Sequence, residues 1–343
     1  MKRRILLANL TMMIIAVTIP IAITDKYLRF ARLPKNNSRV MLLSGGRLDS
    51  SGIGIRHYTP LSYLRHSAVY GSAIEYSYVF KTDRHGFRVT HECEAEGDLT
   101  AIAGDSFTEG TGSNYSWIER VQDRLCDQGH KSINVSIGGN GIEDMKDSLI
   151  YAHERLGAKK AIVAIIAEDI YRPRTSMVSN HICSMYASRE CGRTTTWWHH
   201  PEGFNTRDLI EFANSKYDVG ILSALGALKS QWRNSYKELT GYKRNEQPMI
   251  ERSISAMESV ASRYGAKNVS LFILPTKIDR NIIVSPKYNT RRRTDLHNFL
   301  SSIHIDIQVK DLRDCELDKR HFFPLDGHPN EKGHRRLGMC AST

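Results

Sequence analysis

Three side chains in this sequence have the types and spacing that acyl transfer needs. Ser106 stands in Ala103-Gly104-Asp105-Ser106-Phe107-Thr108-Glu109-Gly110, behind the apolar run Leu99 to Ala103 and ahead of Asn114 to Leu125, whose apolar spacing is helical. A serine placed where a buried strand turns into a helix has its hydroxyl exposed at the carboxyl end of a sheet. The backbone N–H groups of the turn then point at whatever it attacks. His328 follows the last expected strand, so it lies at the same sheet edge and could serve as the base. Asp326, or another nearby carboxylate, could orient the imidazole. Acyl transfer at neutral pH requires a nucleophile, a base, a group that orients the base, and donors for the oxyanion. Ser…Asp…His is one of the known chain orders for such a set. Singly these residues mean little, because Gly-Asp-Ser occurs by chance in loops and Asp-Gly-His is usually a turn. Their conjunction at matching ends of one domain carries the reading.

The elements that must hold them are legible from Asp98 onward. Strand 99–104 is followed by helix 114–128, strand 132–137, a Gly-rich turn at 138–141, helix 142–156 and strand 160–166. The strands are continuous apolar runs, as expected where both faces of a parallel sheet are covered. Short connections between alternating strands and helices predict a doubly wound α/β domain. Helix 248–264, strand 268–274, helix 292–302, strand 304–309 and a last helix at 331–339 continue the pattern. Residues 171–247 break it, and only Asp208 to Leu228 within them looks helical. That length exceeds a loop in a compact domain and is read as an insertion over the active face. Its Trp197-Trp198-His199-His200 is read as insertion core, with a sugar-binding platform as the alternative; no partner ligands at telling spacing accompany the two histidines, so no metal is expected. Glu75 to Phe80 has strand character and belongs to an N-terminal extension, 28–97, that packs on the main domain.

Four segments resemble the SGNH/GDSL hydrolase superfamily. Gly104-Asp105-Ser106 with Phe107 is similar to its first block, and Asn134-Val135-Ser136-Ile137-Gly138-Gly139 to its second. Asp326-Gly327-His328-Pro329-Asn330 with Gly333-His334 resembles the last block, and Thr82 to Arg88 a segment found upstream in membrane-linked members. The resemblance covers roughly 80–340, apart from the insertion. It implies a three-layer α/β/α sandwich with a flavodoxin-like sheet over 98–343. Ser106 is then the nucleophile, His328 the base and Asp326 its orienter, with no cofactor; the N–H groups of Ser106 and Gly139 take the oxyanion. Two departures stand out. The third block normally brings an asparagine whose amide is an oxyanion donor, and Ala167-Glu168-Asp169 puts Glu168 there instead. An ionised carboxylate accepts hydrogen bonds and repels an oxyanion. Asn140 is a candidate substitute donor, and Asp105 and Glu168 are neighbours of unassigned role. The last block also separates Asp from His by one residue, where two is commoner.

The first 27 residues differ from the rest. Lys2-Arg3-Arg4 precedes Ile5 to Thr24, a run without a charge, and about 20 apolar residues span a bilayer. We read a signal-anchor with a cytoplasmic N-terminus; a cleaved signal, with its apolar region of ~7–15 residues, and a buried helix are the alternatives. Lys26, Arg29, Arg32 and Lys35 weaken that orientation without reversing it. The body would then be periplasmic or extracellular, on a single-pass inner-membrane protein. Six cysteines suit such a compartment, and Cys183–Cys191 and Cys315–Cys340 are possible bridges. The net charge of +11 reads as a solvated basic face, with an acidic glycan as the sharper alternative; no nucleic-acid motif accompanies it.

These features lead to an expected ester hydrolase or O-acyltransferase acting on O-acyl, chiefly O-acetyl, groups of an envelope carbohydrate. A transferase would need a membrane partner supplying acyl groups. A weak or inactive glycan-binding or assembly subunit is the second reading, which Glu168 favours, and a lipid-directed hydrolase the third.

Overall fold

The computed structural model describes residues 39–49, 54–70, 73–178, 181–184, 197–199, 246–277, 279 and 286–342, with 19–21, 23 and 209–211. The chain divides into two compact units. Met1–Arg39, Val69–Ala73 and Phe204–Asn245 form one, mostly outside the described residues; Val40–Ala68, Ile74–Gly203 and Glu246–Thr343 form the other, which holds the site.

The N-terminal extension contributes β1 (Arg39–Ser44), β2 (Leu48–Asp49), β3 (His57–Tyr58), β4 (Tyr63–Tyr70) and β5 (Ala73–Lys81). In β5 the alternation Tyr76, Tyr78, Phe80 is buried while Ser77, Val79 and Lys81 face solvent, the two-residue period of a half-covered strand. The main domain continues with β6 (Leu99–Gly104), α1 (Ser106–Glu109), α2 (Trp117–Asp127), β7 (Lys131–Asn134), α3 (Ile142–Leu156) and β8 (Lys160–Ile165). A hairpin of β9 (Thr175–Val178) and β10 (His181–Ser184) follows, then β11 (Trp197–His199), which pairs in parallel with β1. The chain closes with α4 (Gln247–Tyr264), β12 (Val269–Ile273), α5 (Pro286–Ser302), β13 (Gln308–Asp311) and α6 (Glu331–Ser342).

The five strands β13-β12-β8-β6-β7 make one sheet, every pair of it parallel. In order of appearance that is 2-1-3-4-5, the flavodoxin-like arrangement, whose switch point falls between β6 and β8. Helices cover both faces. Ile102, Ile162, Ala164 and Phe272 point to one side, where Trp117, Ile118 and Val121 of α2 and Leu337 and Ala341 of α6 complete the core. The alternate residues of the same strands, Ala101, Val163 and Leu271, are buried on the other side, where α3 and α4 pack. Burying a Trp117 or an Ile102 fully is worth roughly 1.5–3 kcal/mol each.

Several expected boundaries shift, each for a local reason. Helix 114–128 begins at Trp117 because Ser116 and Glu119 form a capping box ahead of it. Strand 132–137 stops at Asn134, whose side chain takes the N–H of Ser136 and starts the turn. Helix 292–302 begins earlier, at Pro286, a residue suited to a first helical position. The last strand is β13, 308–311, not 304–309, since its register partner is Ser270 to Ile273 of β12. Cys315–Cys340 is bridged, and so is Cys93–Cys126, which spacing did not suggest; Cys183–Cys191 lies outside the described side chains. The run Ile5 to Thr24 also lies outside the described residues, except Ile19, Pro20, Ile21 and Ile23, which are helical. Among the described residues no helix is long and apolar enough to cross a membrane. The expected helix 208–228 is described only at Leu209, Ile210 and Glu211, and of the Trp-Trp-His-His cluster only the backbone of 197–199 is described.

Candidate active site

The seat of Ser106 follows from crowding at the end of β6. A Cβ on Gly104 would stand 2.3 Å from Thr108 Oγ1 and 2.9 Å from the Ala164 carbonyl, so only glycine lets the chain turn beside β8. Asp105 then leaves in extended conformation and caps α1. Its carboxylate accepts the Phe107 N–H at 2.9 Å, and its carbonyl accepts those of Thr108 and Glu109 at 3.1 and 2.9 Å. The cap takes the donors of the turn beyond Ser106, those of Phe107, Thr108 and Glu109. Gly110 ends the turn at φ +88°, the left-handed conformation glycine tolerates. Asp105 is thus a capping residue.

His328 arrives on the loop after the short helical turn 319–321. Its Nε2 lies 2.7 Å from Ser106 Oγ, and its Nδ1 lies 2.5 Å from Asp326 Oδ1. A carboxylate accepts only, so Nδ1 carries the proton and Nε2 accepts from the serine hydroxyl. The single-residue spacing is accommodated by an Asx-type turn: Asp326 Oδ1 also accepts the backbone N–H of His328, at 3.2 Å. Carboxylate and imidazole therefore meet within one local turn. Both residues are buried, Asp326 at 2% exposure and His328 at 9%. Glu75 accepts the N–H groups of Leu325 and Asp326 at 2.8 and 3.3 Å. Lys277 donates to the carbonyls of Phe323 and Pro324, and burial holds its ammonium below the usual lysine range. The Phe107 ring lies 5.0 Å from the imidazole.

His334, part of the same motif, does not reach this cluster. It is fully buried in α6, where its Nδ1 accepts the N–H of Trp117 at the start of α2. Burial, with the charge of Arg88, pushes its pKa down to about 3, so it is neutral at pH 7.

The Gly138–Gly141 turn follows β7 on the other side of Ser106. Gly139 adopts φ +80°. Asn140 is 1% exposed, and neither its Oδ1 nor its Nδ2 has a hydrogen-bond partner among the described residues. A buried amide without partners costs about 1–3 kcal/mol. Glu168 is half-buried and heads the turn 169–171. Its neighbour Asp169 is fully buried, accepts the Ile166 N–H at 3.0 Å and pairs with Arg172 at 2.5 Å. Burial and the nearby Asp105 charge push the Asp169 carboxyl upward, against the pull of Arg172.

Arg172 is the residue that sequence reasoning missed. One of its nitrogens donates to Asp105 at 3.2 Å, to the Asn140 carbonyl at 3.2 Å and to Asp169. A single guanidinium therefore ties together the loops that follow β6, β7 and β8. Arg88, from the Thr82 to Arg88 segment, does the same for the chain after α1, donating to the carbonyls of Gly110, Ser113 and Asn114. Arg88 stands in the upstream segment that the resemblance singled out, though without a role, and no motif spacing announces Arg172. Among the described residues one grouping has metal-ligand spacing, His91 with Cys93 and Cys126, and its two sulfurs are joined in the disulfide.

No family model and no curated protein matches the chain. Solved structures resemble it. They include TesA (13% identity, 71% of this chain and 96% of that one, TM-score 0.40). A lipase/acylhydrolase from Enterococcus faecalis is similar at 11% identity over 72% and 94% of the two chains, with a TM-score of 0.37. A family 3 carbohydrate esterase from Clostridium thermocellum is similar at 10% identity over 72% and 94%, with a TM-score of 0.36.

Proposed function

We propose that the chain is a serine-dependent ester hydrolase or O-acyltransferase of SGNH type, acting on O-acyl groups of a carbohydrate. The observation that carries this reading is the unbroken hydrogen-bonded chain Asp326–His328–Ser106. In the reaction His328 Nε2 takes the Ser106 proton as Oγ attacks the acyl carbonyl. Asp326 stabilises the imidazolium through Nδ1–H and keeps the ring in its tautomer. The N–H groups of Ser106 and Gly139 and the amide of Asn140 take the oxyanion. Asn140 fills the role that Glu168 cannot, because its amide is buried next to Gly139 and has no hydrogen-bond partner among the described residues. The imidazolium then protonates the leaving alkoxide, and water or a sugar hydroxyl releases the acyl group by the same route.

A body outside the cytoplasm on a membrane anchor is our inference from the apolar N-terminal run and the two described disulfides, and the acylated carbohydrate follows from that placement together with the long insertion 171–247. A binding subunit without turnover is less favoured, since an ordered base and orienter on the serine serve no binding purpose. The test is labelling with a fluorophosphonate and turnover of acetylated glycans by wild type and Ser106→Ala. Wild type should label and hydrolyse, and the folded variant should do neither. Glycan binding by a wild-type protein that never labels would favour the subunit instead.

A further inference from the structure

The turn that carries Gly139 and Asn140 is clamped by its own domain and, through Arg56, by the N-terminal extension. Four of its backbone groups are fixed. The Ile137 carbonyl accepts the Asn140 N–H at 3.0 Å, and Asp144 accepts the Gly141 N–H at 2.9 Å. Thr175 Oγ1 lies 2.8 Å from the Gly139 carbonyl, and Arg172 donates to the Asn140 carbonyl. Among the described residues the Asn140 side-chain amide has no hydrogen-bond partner.

Two supports come from the N-terminal extension, on residues two apart in one extended segment. Tyr58 is fully buried and donates its hydroxyl to Glu109 at 2.5 Å. Glu109 is the last residue of the Ser106 helix, so Tyr58 holds the end of the nucleophile's helix from the same segment that carries Arg56. Arg56 is 7% exposed and pairs with Asp144 at 2.8 Å; the same nitrogen donates to Thr175 Oγ1 and reaches the Gly139 carbonyl at 3.4 Å. The segment is itself seated by the Thr82 to Arg88 motif. The Tyr58 N–H donates to the Gly86 carbonyl at 2.9 Å, and a Cβ on Gly86 would stand 2.1 Å from the Tyr58 carbonyl.

We propose that Arg56 and Tyr58 are positioning residues that fix the oxyanion turn against the Ser106 helix, making the N-terminal extension a working part of the active site. This rests on the ester-transfer reading above. A turn of glycines has many conformations of similar energy, and a donor displaced by 1 Å loses much of its effect on a transition-state charge. Fixing the flanking peptides from both sides removes that freedom without consuming the Asn140 amide.

The experiment compares wild type, Tyr58→Phe and Arg56→Lys on p-nitrophenyl acetate, with thermal melts alongside. Each variant should lose about 10- to 100-fold in kcat while KM stays within about twofold. The imidazole limb of the pH–rate profile should not move, because neither residue touches His328 or Asp326. Arg56→Met should lose more than Arg56→Lys, and the Tyr58→Phe effect should shrink in an Asn140→Ala background. Folded variants within about threefold of wild type would overturn the role. So would loss of the cooperative melt in both variants, which would make the pair a folding element. A wild type that neither turns over ester nor labels at Ser106 fails the ester reading itself, a result separate from these.

Discussion

Asn140→Ala separates a donor that serves chemistry from one that serves the fold, because the two predict opposite signs. If the amide stabilises the oxyanion, its removal costs about 2.7–4 kcal/mol of transition-state stabilisation, or ~100- to 1,000-fold in kcat. If the amide held the fold together it would have partners, and it has none among the described residues. Truncation instead relieves the desolvation of an unpaired buried amide, about 1–3 kcal/mol, which offsets the packing lost with the side chain. The variant should therefore melt at or above the wild-type temperature while kcat collapses and KM changes little. Asn140→Asp should fall further than Asn140→Ala at pH 7, since an ionised carboxylate cannot donate. Steady-state hydrolysis of an activated acetyl ester with calorimetric melts measures both quantities on one sample. A variant that keeps kcat within about threefold, or loses several degrees of stability with its rate intact, would refute the assignment.

The two glycines of the serine and histidine motifs should respond differently to alanine. Gly104→Ala pushes a Cβ to 2.3 Å from Thr108 Oγ1 and should cost about 1–3 kcal/mol in overpacking, read as a lowered denaturant midpoint. Gly327→Ala meets nothing within 4 Å and should leave both melt and rate unchanged. His334 makes stability pH-dependent. Its folded pKa of about 3 lies below the ordinary 6.5, so its contribution is complete above pH 6.5 and is lost as pH falls toward 3. The loss is bounded at roughly 5 kcal/mol. His334→Gln, which keeps an acceptor for Trp117, should flatten that part of the stability–pH curve measured in urea.

Local chemistry explains how much could be read without coordinates. Continuous apolar runs such as Lys160 to Ile165 identify strands buried on both faces, and their alternation with helices fixes a parallel sheet whatever the side chains later touch. A strand-to-helix turn carries its serine to the sheet edge by backbone geometry alone, so Ser106 was legible. His328 came forward from its place after the last expected strand, with Asp326 or another nearby carboxylate as its orienter; the Asx turn that lets the short spacing work appears only in the structure. Where elements end was less so, since capping by Ser116 and Glu119 or a side-chain bond from Asn134 decides within a residue or two.

Periodicity and local motifs were enough to predict a parallel doubly wound sheet and to bring Ser106, Asp326 and His328 forward as candidates, because each depends on neighbours along the chain. The rest of the site depends on contacts between residues far apart in the chain. Arg172 lies 67 residues from Asp105, Arg56 lies 83 from Gly139 and Tyr58 lies 51 from Glu109. Hydrogen bonds between such distant residues leave no periodic trace, and an arginine or tyrosine reads alike whether it faces water or braces a turn. The same holds for Asn140, whose significance is that nothing in the described fold takes its amide.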